Sequence, residues 1–220
     1  MRFSTDIAIS YYLVLRKIKS FTDFMQQSKS NNIKRQSSGN NQVRIIGGSM
    51  RGRKISFAAG EGLRPTLDRI RETLFNWLVA DIHGAICLDL YAGSGALGLE
   101  AISRGAKSVI LVDASSQVTN NLKKTLRSLS LDNVKVVNQK AQQFLTGNEQ
   151  LFDLVFLDPP FEKGMLGSIL EQIKPHLSED ALVYVEQENA SSTVSFGEQW
   201  QLIKSKKTGR FCYSLIRRIN

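Results

Sequence analysis

From residue 85 onward, short apolar runs alternate with stretches in which apolar side chains recur every three or four positions. The runs predict strands at 86–91, 108–112, 134–137, 154–157 and 181–186, and the stretches between them predict helices near 97–104, 116–130 and 164–176. Such alternation predicts a parallel sheet with helices on its faces. The run LVFL at 154–157 has no polar position, as expected of a central strand covered on both sides. Two further runs, 201–204 and 211–217, flank a short turn at 206–209 and predict an antiparallel hairpin on the sheet edge. Upstream, VRIIGG from Val43 and a second run around 55–57, joined through RGRK, predict a small basic hairpin within 43–62. LRPTLDRIRETLFNWL follows, where Pro65 and Thr66 open a helix. Leu67, Ile70, Leu74, Trp77 and Leu78 share its apolar face, and Arg69, Arg71 and Glu72 lie opposite.

The segment SKSNNIKRQSSGNNQ at 28–42 has one aliphatic residue in fifteen and buries too little to offset its ordering entropy, so 1–42 is expected to be an extension or disordered arm. Residues 1–24 carry apolar content without an identifiable context, and Met25 is a candidate start that the intact mass of the native protein would test. The stretch at 7–15 is too short to span a membrane and lacks a small-residue cleavage site. The 220 residues, 42% hydrophobic and 22% charged, suit one catalytic domain over 63–220 with a modest appendage. Cys87 and Cys212 show no metal-ligand spacing, which leaves a reducing cytoplasm as the expected setting.

Charge changes this picture because it is segregated. Residues 1–75 hold 14 Lys and Arg against 5 Asp and Glu, a surplus equal to the whole net charge of +9. The last 21 residues add six basic side chains and no acid, so the middle of the chain is acidic. Basic ends of this kind suit a polyanion, since each phosphate neutralised releases a counterion. Arg44, Arg51, Arg53 and Lys54 of the hairpin, with Arg64 and Arg71, are the candidate nucleic-acid contacts.

Two motifs carry chemistry. DLYAGSGALG at 89–98 leaves a strand and enters a helix, and Ala92, Gly93 and Gly95 let backbone N–H groups approach a ligand closely. Gly93, Gly95 and Gly98 satisfy G-x-G-x-x-G, and Asp113 stands 20 residues after Gly93, where a ribose-binding acid belongs. A dinucleotide dehydrogenase has the same pattern. Asp89 favours S-adenosylmethionine, whose positive amino end a carboxylate can receive, over a dinucleotide whose pyrophosphate it would repel. Adenine is expected near Lys140, Ala141 and Gln142, at the end of the third strand.

The second motif, Asp158-Pro159-Pro160-Phe161, follows the fully apolar strand at the carboxyl edge of the sheet. An exocyclic amine is a poor nucleophile because its lone pair is delocalised into the ring. Acceptors held against its N–H bonds, here Asp158 and the Pro159 carbonyl, make the nitrogen more tetrahedral. Phe161 offers a face for a swung-out base. The methyl donor is already electrophilic, so no metal is required.

VRIIGGSMRGRKI, GLRPTLDRIRETLFNWL, CLDLYAGSGALGLEAISRGA and VFLDPPF, in that order, resemble the bacterial 16S ribosomal RNA guanine-N2 methyltransferase family that acts on guanine 966; the likeness runs from about Gln42 to the C-terminus. It implies a Rossmann-like α/β fold of class I methyltransferases: a seven-stranded, mostly parallel sheet with the last strand antiparallel, beside the small N-terminal hairpin. It also implies S-adenosylmethionine as donor, S-adenosylhomocysteine as product, and 16S RNA in the small subunit or an assembly intermediate as partner. A monomer without membrane attachment is expected. Lys140 departs from the Asn or Asp that many relatives carry, and 1–24 have no counterpart. The residues leave other readings open. A DNA adenine-N6 enzyme shares the Asp-Pro-Pro-aromatic chemistry but here lacks an evident target-recognition domain. A nicotinamide-dependent enzyme leaves Asp-Pro-Pro-Phe without a task. A non-catalytic RNA-binding assembly factor would keep its effect after Asp158→Ala.

Overall fold

A computed structural model describes residues 42–57, 65–159, 165–188, 196–209 and 211–219, with 65–67 described by their backbone alone. The arm expected over 1–42 therefore lies outside the described residues except at Gln42, which is already paired in a strand.

Two short antiparallel strands, β1 (Gln42–Arg44) and β2 (Lys54–Ser56), form the expected hairpin, with Val43 opposite Ile55 and both buried. Helix α1 (Pro65–Trp77) follows. The main sheet is then built by β3 (Ile86–Asp89), α2 (Ala96–Ser103), β4 (Ser108–Asp113), α3 (Ser116–Leu129), β5 (Val134–Asn138), α4 (Ala141–Thr146), β6 (Phe152–Leu157), α5 (Met165–Ile173), β7 (Leu177–Glu188), β8 (Trp200–Thr208) and β9 (Phe211–Arg218). Seven strands lie in the order β5-β4-β3-β6-β7-β9-β8. The pairs β5–β4, β4–β3, β3–β6 and β6–β7 are parallel, and β9 runs antiparallel to both β7 and β8. This is the class I methyltransferase architecture.

Period-two alternation along each strand divides the core into two layers. Cys87, Val109, Leu111, Leu154, Phe156, Leu182 and Tyr184 face one way, against α1, α2 and α3. Leu88, Ile110, Val112, Val155, Leu157, Val183 and Val185 face the other way, against α4 and α5. Burial on both faces explains why LVFL is apolar without alternation. Helix α3 starts where Ser115 accepts the Val118 amide at 3.3 Å, and it stops at Ser130 in a left-handed conformation.

Several elements depart from the expected ones. Strand β8 continues through Thr208, so residues 206–208, expected in the turn, pair with β9 instead. Helix α4 is too short for periodicity to reveal it. Strand β7 runs from residue 177 rather than 181, because Leu177 pairs with Phe152 before a bulge. In α1 the buried arc is wider than the expected face: Phe75 joins it, and so does Arg71, which is only 4% exposed rather than on the outer surface.

Candidate active site and cofactor cradle

The strand order reverses between β3 and β6: the chain leaves β3 toward β4 on one side and returns as β6 on the other. Open sheets of this kind hold ligands in the crevice beyond the carboxyl ends of the strands at that reversal. Both sequence motifs end there, one after β3 and one after β6, and Leu90 N–H donates to the Phe156 carbonyl at 3.2 Å across the gap.

The turn after β3 is held by its own backbone. Ala92 N–H donates to Val112 O at 2.9 Å, and Gly95 N–H to Ala92 O at 2.6 Å. Gly93 and Gly95 have φ of 48° and 75°, a left-handed path that side chains with a Cβ resist. At Gly98 the helix approaches β4 so closely that an added Cβ would lie 2.3 Å from Leu111 Cδ2. Gly93 and Gly95 thus serve the turn, and Gly95 and Gly98 also let it pack closely, since an added Cβ at Gly95 would lie 2.6 Å from Leu122 Cδ2.

Asp89 and Asp113 brace this turn. Buried Asp89 accepts the Gly98 N–H at 3.1 Å through Oδ2. Asp113 accepts Gly93 N–H at 3.0 Å through Oδ2 and Ser115 N–H at 2.8 Å through Oδ1. Each Asp113 oxygen keeps a second lone pair, so fixing the turn and receiving ribose hydroxyls are compatible. Asn138 ties β5 to this corner by donating to the carbonyls of Asp113 and Ala114, each at 3.0 Å. Buried Ala141 then starts α4. Lys140 precedes it with an exposed side chain, and Ala141 itself packs in the core layer under α4 and α5.

Burial pushes the Asp89 carboxyl up to about 7 from 3.8; neighbouring Asp113 adds to the rise, and the N–H groups of Gly98 and Tyr91 only partly oppose it. A folded protein that keeps this proton after the unfolded chain has lost it gives up stability as pH climbs. The loss runs from about 4 through about 7, at no more than about 1.4 kcal/mol per pH unit, and ends above that window. Asp89→Asn should lack this component of the slope over the same range. Urea unfolding of both proteins from pH 5 to 8 checks this; parallel curves would refute it.

Asp158, directly after β6, is exposed, and Pro159 is buried behind it. Pro160, Phe161 and Arg64 lie outside the described residues. Cys87 is unsuited to nucleophilic attack, since burial, then Asp153 and Asp89, push its thiol up to about 12. Among the described residues no cluster of three metal-ligating side chains forms, and no helix is long and apolar enough to cross a membrane.

Of the candidate RNA contacts, Arg44, Arg51, Arg53 and Lys54 are exposed on the hairpin. Arg44 and Arg51, with Arg69 of α1, line a cavity of about 430 Å³ between the hairpin and that helix, where Asp68 and Glu72 also stand. Arg71 is buried instead. Its Nη2 donates to the Arg44 carbonyl and to Asp68, each at 2.7 Å, so it fastens α1 to β1.

Two groups of residues escaped the sequence reading. Glu100, fully buried on α2, accepts the amides of Ile46 and Gly47 and Nε of Arg104, each at 2.8 Å. Ser103 donates to Gly47 O and receives Met50 N–H, so α2 latches the hairpin loop onto the domain. Tyr184 lies opposite Phe156 in β7, and its hydroxyl donates to Glu186 two residues further along that strand. In both cases the signal available was an acid at or within an apolar run, GALGLEAI and ALVYVE.

The model of a family described as Conserved hypothetical protein 95 matches residues 43–217. Ribosomal RNA small subunit methyltransferase D of Escherichia coli is 44% identical over 82% of this chain and 92% of its own length. The Haemophilus influenzae protein of the same name is 45% identical over 79% of this chain and 93% of its own. A solved Escherichia coli structure, described as a candidate methyltransferase, superposes with a TM-score of 0.74 at 44% identity, covering 80% of this chain and 98% of that one. With the match extending from β1 almost to the end of β9, and with those relatives covered over more than nine tenths of their length, the chain belongs to the Conserved hypothetical protein 95 family and to that of the ribosomal RNA small subunit methyltransferase D proteins.

Proposed function

We propose that this protein transfers the methyl group of S-adenosylmethionine to N2 of a guanine, position 966, of 16S ribosomal RNA in the small subunit or its assembly intermediate, acting as a cytoplasmic monomer. The observation that carries this reading is the convergence of the braced glycine turn after β3 and the Asp158-Pro159 step after β6 at one strand-order reversal. The names of relatives alike over most of their length support the RNA assignment.

The cofactor fits the cradle chemically. The turn at Ala92, Gly93 and Gly95 would hold its methionine portion, and Asp89 would supply the carboxylate for its ammonium group. Asp113 is suited to the ribose, and Ala141 to the adenine. When bound, the sulfonium supplies an electrophilic methyl group. The protein's part is to orient the amine. Asp158 and the Pro159 carbonyl accept its N–H bonds, which directs the nitrogen lone pair out of the base plane. Pro160 and Phe161 are proposed to complete this rigid step and to stack the base. Asp158 then stands where the amine's proton leaves. The hairpin cations Arg44, Arg51, Arg53 and Lys54, with Arg64, are proposed to hold RNA phosphates.

The test is transfer of labelled methyl to small subunits that lack the modification, with duplex DNA alongside, followed by nucleoside analysis. N2-methylguanosine in the RNA alone is the expected product. N6-methyladenine in DNA would overturn the ribosomal reading, and absence of label from both would overturn catalysis.

A further inference from the structure

We propose that Lys204, Lys206 and Lys207 of β8 form a second phosphate-binding edge, which holds the RNA strand a few nucleotides away from the base being methylated. This rests on the ribosomal RNA reading above and adds to it a contact surface separate from the hairpin.

The register of four strands places these lysines. Leu157 of β6 lies opposite Val185 of β7, so Asp158 and Glu186 are the next residues of those two strands. Glu186 is opposite Tyr213 of β9, and Tyr213 is opposite Lys206 of β8. One row therefore crosses the sheet from Asp158 to Lys206 in three strand spacings, about 14 Å at about 4.8 Å each. Two residues earlier, a parallel row runs through Phe156, Tyr184, Leu215 and Lys204. Phe156, Tyr184, Leu215 and Tyr213 all pack in the core layer under α1. Residues directly opposite one another project to the same face, so Lys204 and Lys206 stand on that face too. Asp158 is close to it, since burial, then the charges of Glu186 and Asp158, raise the Tyr184 phenol well above its ordinary pKa. Lys207, opposite Cys212, projects to the other face of the same edge.

Strand β8 ends the sheet and is exposed from Gln201 through Lys207. Lysine on an edge strand can serve only to prevent pairing with another chain. The distribution along β8 points further. Exposed Leu202 and Ile203, the side chains that invite such pairing, lie in the half of the strand that carries no charge, Trp200 to Ile203. The three lysines occupy the other half. Because β8 runs in the direction of β7, that half leads to the carboxyl edge where the reaction is placed. No acid follows Trp200 in the sequence, and Glu186 and Glu188 stand two strands inward on β7, with β9 between. Ammonium groups on flexible, exposed stems suit phosphates, which position a strand, rather than base edges, which specify it.

The test is the salt dependence of methyl transfer by the full chain to small subunits that lack the modification. Each lysine–phosphate contact on a single strand contributes about 0.7 to the slope of log kcat/KM against log salt, so replacing Lys204, Lys206 and Lys207 together by Gln should flatten that slope by about 2. The deficit against wild type is then largest at low salt. Replacing the same three by Arg keeps the charge and should keep the slope. Replacing Lys107, Lys123 and Lys124 by Gln removes as much charge from exposed positions beside β4 and β5, and should leave the slope near wild type. None of the β8 lysines packs in a core layer, so melting temperature and S-adenosylhomocysteine binding should be kept. Should the triple variant prove unstable, Lys206→Gln alone is expected to flatten the slope by about 0.7. An unchanged slope in the β8 variants, with larger oligomers in sedimentation, would reduce the lysines to guards of an open edge and overturn the proposal. Equal flattening in the Lys107, Lys123 and Lys124 variant would overturn it as well, by assigning the effect to net charge. No methyl label in subunit RNA with the wild type would instead overturn the function on which the proposal rests.

Discussion

Asp158→Ala is expected to lower the single-turnover rate of methyl transfer to small subunits by about a hundredfold to a thousandfold, the range seen when one preorganised polar contact is removed from a transition state. The side chain is exposed at the end of β6 and packs in neither core layer. Its loss should therefore leave the melting temperature within a degree or two of wild type. Cofactor binding should also persist, because the cradle is braced by Asp89 and Asp113 on β3 and β4. Asp158→Asn keeps one acceptor oxygen and should recover part of the rate, about tenfold above alanine. These signatures separate chemistry from binding: kcat falls while subunit KM and the Kd for S-adenosylhomocysteine stay near wild type. An alanine variant within threefold of wild type would remove Asp158 from the reaction. A matching collapse of cofactor affinity would make it a structural brace instead.

The features that could be read from the sequence are those dictated by neighbours in the chain. Gly93, Gly95 and Gly98 were readable because a turn with positive φ and a close helix crossing tolerate little else. Asp113 was readable because a strand of fixed length follows a helix of fixed length. LVFL announced a central strand because burial on two faces removes the usual alternation. Residues whose task depends on distant partners stayed hidden. Arg71 sits on an apparently polar face of α1, yet β1 lies against that face, and the Arg44 carbonyl 27 residues away takes its Nη2. Glu186 reads as the polar end of a strand until β6 is laid beside β7 in register. Strand β8 is exposed from Gln201 through Lys207, so no burial pattern marks its length; its pairing with β9 does. Helix α4 has six residues, under two turns, and periodicity needs more.

Glu100→Ala should cost about 3 to 5 kcal/mol of stability, the penalty for breaking a buried ion pair by removing one partner. The carboxylate is fully buried, and its three donors arrive from two separate parts of the chain: two amides of the hairpin loop 53 and 54 residues upstream, and Arg104 one turn onward in α2. Alanine leaves both amides without their acceptor in a part-buried site. It also strips the counter-charge from Arg104, whose guanidinium lies 5.1 Å from the centre of the Phe75 ring, and from Arg71, whose burial already disfavours its charged form. Glu100→Gln preserves the shape but turns an NH2 toward donors, so it should recover only part of the loss. Because the lost bonds hold the hairpin loop, hydrogen exchange at Ile46, Gly47 and Met50 should accelerate more than exchange in β3 or β6. The same loosening would displace Arg44, Arg51, Arg53 and Lys54, raising KM for small subunits more than it lowers kcat. Urea unfolding with exchange mass spectrometry measures both effects. A loss below about 1 kcal/mol, with exchange at the loop unchanged, would show that the latch is carried by Ser103 and the apolar contacts of Val43, Ile45 and Ile55 rather than by the carboxylate.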